Sequence, residues 1–245
     1  MNTTMNFDQM TVAEIAIQHP SAAHVFNKYQ IDFCCGGKKP FREACEKAGV
    51  NPDEVMTELF SSETNSMPGT IRFDTWEPTL LADFIVQHHH GFVRRSIPQL
   101  YELIAKVCAA HGDRDAYLLT LRDTFTELSE ELLLHMEKEE VVLFPAIKRL
   151  YEETRIPVDV TPIPSHLMAP MKVMEDEHEH AGDLIKKIRT LTSNYTPPAS
   201  ACPTYRVTYR RLEEFDQDLM QHIHLENNVL FLKVKERLTN AYSVN

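Results

Sequence analysis

Glycine is scarce in this chain, with seven in 245 residues. Together with long charged, amphipathic stretches, that scarcity argues for helices over strands. No apolar run approaches the ~20 residues needed to span a bilayer, so no membrane partner is expected. Basic clusters are missing too. The 25 Lys and Arg stand against 36 Asp and Glu, a formal charge of −11, which speaks against nucleic acid as a partner. The first residues, Met1 to Asp8, have neither the basic region nor the apolar core of a signal peptide. The five cysteines are odd in number and two are adjacent, so nothing resembles a disulfide framework. A reducing cytoplasm is the expected location.

What the chain does have is histidine, twelve in all, and a phrase that occurs twice. The stretch from His135 through Glu139 and Val142 to Phe144 returns from His222 through Glu226 and Val229 to Phe231. In each copy a His stands four residues before a Glu and seven before a Val. On an α-helix those positions share one face, so imidazole and carboxylate aim at one point. Upstream of the copies lie His88-His89-His90 and Glu175-Asp-Glu-His178-Glu-His180. His90 and His135 are 45 residues apart, and His178 and His222 are 44. From about residue 78 the chain therefore reads as two helical hairpins, each with one lone His and one His-x-x-x-Glu.

The predicted architecture is all-α, a four-helix bundle preceded by a small helical domain. Residues 1–65 form that small domain, 66–76 a linker and 77–245 the bundle. In the small domain Thr11-Val-Ala-Glu14 reads as a capping box, and Asn51-Pro52-Asp53-Glu54 as a second helix start. Between them, Cys34-Cys35-Gly36-Gly37-Lys38-Lys39-Pro40 reads as a turn that presents two thiols together. Lys38, Lys39 and the helix start after Pro40 would favour the reactive, metal-binding thiolates. The alternative is two small apolar residues packed under a turn. Ser61 to Thr75 has linker composition. Four long helices are expected over about 78–110, 113–151, 170–193 and 203–239, with Pro98 and Pro145 inside the first two. Pro157, Pro162, Pro164 and Pro170 mark the middle connection.

Successive residues on a helix point about 100° apart, so only one of His88, His89 and His90 can lead toward a common centre. The spacing selects His90. By the same rotation His180 and His224 point away from His178 and His222, and His224 is expected in solvent. Gly182, four residues after His178, removes bulk beside that ligand. Glu137, Glu140, Glu175 and Glu177 read as surface charge. The candidate set is His90, His135, Glu139, His178, His222 and Glu226. Four imidazoles and two carboxylates suit a pair of first-row metals, iron first among them. The symmetry suggests two His per metal with both Glu bridging, which leaves positions for oxo, hydroxo, water or a diatomic gas. A zinc pair suits the same donors.

Four motifs resemble those of the repair-of-iron-centres family of hemerythrin-like di-iron proteins. Its Cys-Cys-Gly-Gly is matched by Cys34 to Gly37, its His-Met-x-Lys-Glu-Glu-x-x-Leu-Phe-Pro by His135 to Pro145, and its Met-Glu-x-Glu-His-x-x-Ala-Gly by Met174 to Gly182. The phrase from His222 to Phe231 matches as well, and Leu232 departs from the Pro found at the equivalent Pro145. The resemblance implies that His90, His135, His178 and His222 are terminal iron ligands bridged by Glu139 and Glu226. It further implies repair of iron–sulfur clusters damaged by nitrosative or oxidative stress, with iron supplied by the bundle. Damaged iron–sulfur proteins would be the partners, and Cys34 and Cys35 would receive iron or engage the target. Two other readings stand beside it: a nitric oxide reductase at the di-iron centre, and a module that binds or senses oxygen or nitric oxide. A homodimer through the small domain is left open.

Overall fold

The computed structural model describes residues 7–19, 21–64, 71–152 and 167–242. It divides into two compact units, one of residues 1–81 with 220–245 and the other of 82–219. Among the described residues no strand forms, and an isolated bridge pairs Thr11 with Pro40. Nor is any described helix long and apolar enough to cross a membrane.

The first unit holds helices α1 (Val12–Gln18), α2 (Ala22–Lys28), α3 (Phe41–Ala48) and α4 (Pro52–Thr64). Thr11 caps α1 through the reciprocal box with Glu14, which satisfies two of the backbone donors a helix start leaves open. The Asn51 side chain accepts from the Asp53 amide at 3.0 Å. Helix α4 runs through Ser61 to Thr64, so the first part of the stretch with linker composition is helical, while residues 65–70 lie outside the described ones. Phe7, Phe26, Phe33 and Phe41 are buried together as this unit's aromatic core.

Four long helical stretches follow. Helix α5 (Pro78–Phe84) continues through a π-helical turn, Ile85–His90, into α6 (Gly91–His111). Helix α7 (Tyr117–Lys138) continues through a second π-turn, Glu139–Leu143, into α8 (Phe144–Glu152). Helix α9 is unbroken from Met168 to Leu191. Helix α10 (Pro203–His224) passes through a third π-turn, Leu225–Leu230, into α11 (Phe231–Tyr242). Pro78 opens its helix, where a missing N–H costs little, and Pro145 follows closely on the π-turn that leads into α8. Pro98 is carried inside α6. Pro157, Pro162 and Pro164 lie outside the described residues, whereas Pro170 falls within the first turn of α9.

Within the second unit α6, α7 and α9 pack side by side in chain order, and Phe215 of α10 meets both Phe92 of α6 and Phe125 of α7. This is a helical bundle with leucine, isoleucine and phenylalanine at its centre. The connection from α9 to α10 turns through Ser193, Asn194 and Tyr195, all three at positive φ. Left-handed backbone costs ~1–2 kcal/mol per non-glycine residue, and a buried network offsets it. Arg189 donates two bonds of 2.6 Å to Asp216, and the Tyr195 hydroxyl donates to the same carboxylate at 2.7 Å. Burial and the Asp216 charge hold the Tyr195 phenol well above its usual range, so it stays a donor.

Candidate metal centre

In the second unit the structure brings together His90, His135, Glu139 and His178, from three different helical stretches. All four are buried, and Glu139 and His90 have no exposed surface at all, 0% each. Glu139 stands between two imidazoles, with Oε2 3.4 Å from His90 Nε2 and Oε1 3.4 Å from His135 Nε2. His178 Nε2 lies 2.9 Å from His135 Nε2. One donor atom from each of His135, Glu139 and His178 falls within 4.8 Å of the others.

The outer ring nitrogens decide how those imidazoles present themselves. His90 Nδ1 is 2.7 Å from Glu140, and Arg94 donates to the same carboxylate oxygen at 2.8 Å. His135 Nδ1 is 2.8 Å from Glu177, which Lys138 also holds. A carboxylate at Nδ1 accepts the hydrogen bond of an N–H kept there, so each neutral ring turns its Nε2 lone pair inward. Burial raises the Glu140 carboxyl, but its bonds to Arg94 and His90 outweigh that and leave it below the ordinary range. Glu177 follows the same pattern, with Lys138 and His135 prevailing over burial. Glu140 and Glu177 are therefore not the plain surface charge that the acid-rich sequence suggests.

The other unit carries the second copy of the phrase. His222 Nε2 lies 2.9 Å from Glu226 Oε1, and both side chains are buried. In each copy the Glu stands at or within a π-turn, as His90 closes the third one. Such turns insert an extra residue per helical turn and recur at functional sites. They also shift the face downstream. Val142, expected beside His135 and Glu139, is 58% exposed, whereas Val229 is buried.

The triple histidine separates cleanly. His90 faces Glu139, His89 is buried with Nδ1 3.0 Å from Asp218, and His88 is exposed and stacked on Phe84. His180 is exposed beside Glu127 and Glu131. His224 corrects the expectation that it is solvated. It is buried against Phe33, within 3.2 Å of Asn228 Nδ2, and burial lowers its pKa to about 4. Rotation about one helix says which residues share a face, and it does not reveal that a second surface covers the opposite face.

Cys34 and Cys35 sit in a turn built by Asp32, whose Oδ1 accepts from the amides of Cys35 at 3.1 Å and Gly36 at 2.9 Å. Gly37 is required at its position, because a Cβ there would come within 2.5 Å of the Phe33 carbonyl oxygen. Neither cysteine is in a disulfide. The expectation that Lys38 and Lys39 favour thiolates fails for Cys34. Its thiol is pushed well up, first by hydrogen bonding with Cys35 and then by burial and the nearby Asp32 charge.

A buried carboxylate facing inward imidazole lone pairs would be stabilised by a positive charge among them. Nitrogen and oxygen donors in this arrangement fit a first-row metal cation. Residues 81–234 match the family described as Hemerythrin HHE cation binding domain, and residues 8–63 match one described as a Domain of Unknown function (DUF542). The iron-sulfur cluster repair protein YtfE of Yersinia pseudotuberculosis is 35% identical over 230 residues, 93% of this chain and 97% of its own. The chain belongs to the hemerythrin-like iron–sulfur cluster repair family. A family member from Haemophilus influenzae, named a probable iron-sulfur cluster repair protein, is 35% identical over 94% of this chain and 98% of its own. The YtfE of an Enterobacter species is 36% identical over 93% of this chain and 97% of its own. The Cys34–Cys35 turn falls in the shorter match and the buried His and Glu residues in the longer one.

Proposed function

We propose that this protein holds two irons and restores damaged iron–sulfur clusters by supplying iron to them. The observation that carries the reading is the Glu139 carboxylate, wholly buried with one oxygen toward His90 and the other toward His135. A carboxylate so placed suits a bridge between two cations better than a ligand to one. By the internal repeat, His222 and Glu226 complete the set, giving His90, His135, Glu139, His178, His222 and Glu226. Imidazole and carboxylate both suit iron, and the names of the relatives support cluster repair as the purpose.

Bound there, the irons supply coordination positions open to small ligands and an affinity that depends on oxidation state. The chain's own residues keep the site competent. Glu140 and Glu177 hold His90 and His135 in the tautomer that offers Nε2, and Arg94 and Lys138 hold those carboxylates ionised. Burial keeps bulk water from competing with the protein ligands.

Iron measured on protein purified without added metal should come close to two per chain and be largely lost in a His135→Ala, Glu139→Ala double variant. The loaded protein, and not the variant, should restore activity to an iron–sulfur enzyme whose cluster has been damaged with nitric oxide. Zinc in place of iron would overturn the di-iron reading. Steady release of nitrous oxide from the reduced protein, with no restoration of the enzyme, would overturn iron supply in favour of nitric oxide reduction.

A further inference from the structure

Three sulfur atoms meet beside the Cys34–Cys35 turn. Cys34 Sγ lies 3.6 Å from Cys35 Sγ and 3.4 Å from the thioether of Met220. Cys34 is 3% and Met220 5% exposed, while Cys35 is partly open to the surface. All three belong to the same compact unit. From these contacts we propose that Cys34, Cys35 and Met220 form a binding site for one soft, monovalent d10 metal ion, of which Cu(I) is the type, separate from the histidine and glutamate cluster.

Distance, donor type and preorganisation each support this. Metal–sulfur bonds of about 2.3 Å place two sulfurs on one ion about 3.8–4.0 Å apart. The observed separations fall a few tenths of an ångström short of that, so a small opening of side chains admits the ion without moving the backbone. The donor set then chooses the metal. Thiolate and thioether are soft ligands that select Cu(I), whereas iron(II) suits the imidazole and carboxylate gathered elsewhere. Zinc also takes thiolate, but in tetrahedral sites of four Cys, His or carboxylate ligands, of which two thiolates and a thioether supply two. The Asp32 carboxylate, 3.4 Å from Cys34 Sγ, adds negative charge but is occupied in shaping the turn.

The turn is also held in place before any ion arrives. Asn228 Nδ2 donates to the carbonyls of Phe33 at 3.2 Å and Cys34 at 3.1 Å, and His224 packs on the Phe33 ring. The Ala13 amide donates to the Gly37 carbonyl at 2.9 Å. Held at both ends, the Cys-Cys dipeptide keeps both sulfurs on one side. On binding, each thiol that forms a sulfur–metal bond gives up its proton to solvent. With two thiolates, one thioether and one monovalent cation, the site carries a net charge of −1. No electron is transferred, so neither oxidant nor reductant is consumed.

The inference does not depend on the di-iron reading, and its test uses the iron-loaded full-length protein under anaerobic reducing conditions. Cu(I) is presented in competition with a chromophoric Cu(I) chelator. One Cu(I) per chain should bind, with three sulfur neighbours at the copper X-ray absorption edge and iron content unchanged. Met220→Leu preserves side-chain volume. It should weaken Cu(I) binding by at least about 10-fold, since even groups that only support a ligand are worth about 10- to 100-fold at metal sites, and reduce the sulfur count to two. A Cys34→Ser, Cys35→Ser variant should lose the site altogether. Protein labelled with selenomethionine should show a copper–selenium distance that Met220→Leu abolishes, which tests the thioether in folded wild-type sequence. Unchanged affinity and sulfur number in Met220→Leu, or copper surrounded by nitrogen with loss of iron, would overturn the proposal.

Discussion

At the scale of single residues, the site depends on groups that do not themselves face its centre. Glu140 and Glu177 each fix one imidazole by its outer nitrogen, at 2.7 and 2.8 Å, and each is held in turn by one cation, Arg94 or Lys138. The two arrangements are chemically the same although they are assembled from different helices. Glu177→Gln keeps the shape but lets the amide offer its NH2 to Nδ1, which favours the tautomer with the proton on Nε2. Metal affinity should fall by about 10- to 100-fold, with the far-ultraviolet circular dichroism unchanged. Iron retained during dialysis against a graded chelator series measures it, and a variant that holds iron as tightly as wild type would remove Glu177 from the site. Arg94 and Lys138 could be read only as surface charge from sequence, because what defines their role is the carboxylate they reach on another helix.

At the scale of elements, the three π-turns are the departures from the regular helices that the repeat predicts. Two of them carry or follow a His-x-x-x-Glu pair, and the third ends on His90. Each inserts its extra residue where a buried polar group must be aimed. In the connection between α9 and α10, three consecutive residues lie in the left-handed region: the amides of Ser193 and Asn194 donate to the carbonyls of Thr190 and Arg189, and the Tyr195 hydroxyl donates to the Asp216 carboxylate. Asp216 is buried and accepts from both Arg189 and Tyr195. Arg189→Met would leave that carboxylate without its cation, a loss that typically costs about 3–5 kcal/mol when a buried pair is broken. Arg189 retains some exposure, 16% of its side chain, so the lower end is expected. Urea unfolding should show a reduced midpoint with an unchanged slope, and a midpoint equal to wild type would remove this network as the restraint on the turn.

At the scale of the whole molecule, stability should depend on pH through histidines buried in the neutral form. His19 is buried against the edge of Phe7, and burial, then the charge of Arg72, holds its pKa below the ordinary 6.5. A base with a depressed folded pKa binds fewer protons folded than unfolded. Its contribution is therefore fully present above 6.5 and declines as pH falls toward the folded value. Thermal unfolding should move to lower temperature between about pH 6.5 and 5. His19→Gln should flatten that slope in part, leaving the share due to other buried histidines such as His224. A slope identical to wild type would show that His19 does not titrate in the transition.

Much of this was legible in the sequence because a helix is a local object. The 3.6-residue period and the reuse of His-x-x-x-Glu are written along the chain and sufficed for the all-α class, as Thr-x-x-Glu did for the capping box at Thr11. The repeat spacing also singles out His90, which lies beside Glu139. What followed from tertiary structure alone are the facts that need two segments to meet. The Nδ1 partners of His90 and His135 come from Glu140 and Glu177, 50 and 42 residues away. His224 turns away from its own helix's polar face, and only the turn at Phe33, folded against that opposite face, makes it buried. Cys34 loses its expected acidity for a related reason. Its lysine neighbours are close in sequence, but burial and the groups around its sulfur set its protonation. Periodicity along one helix specifies direction; the low-dielectric surroundings and the hydrogen-bond partners are supplied by whichever surface packs there.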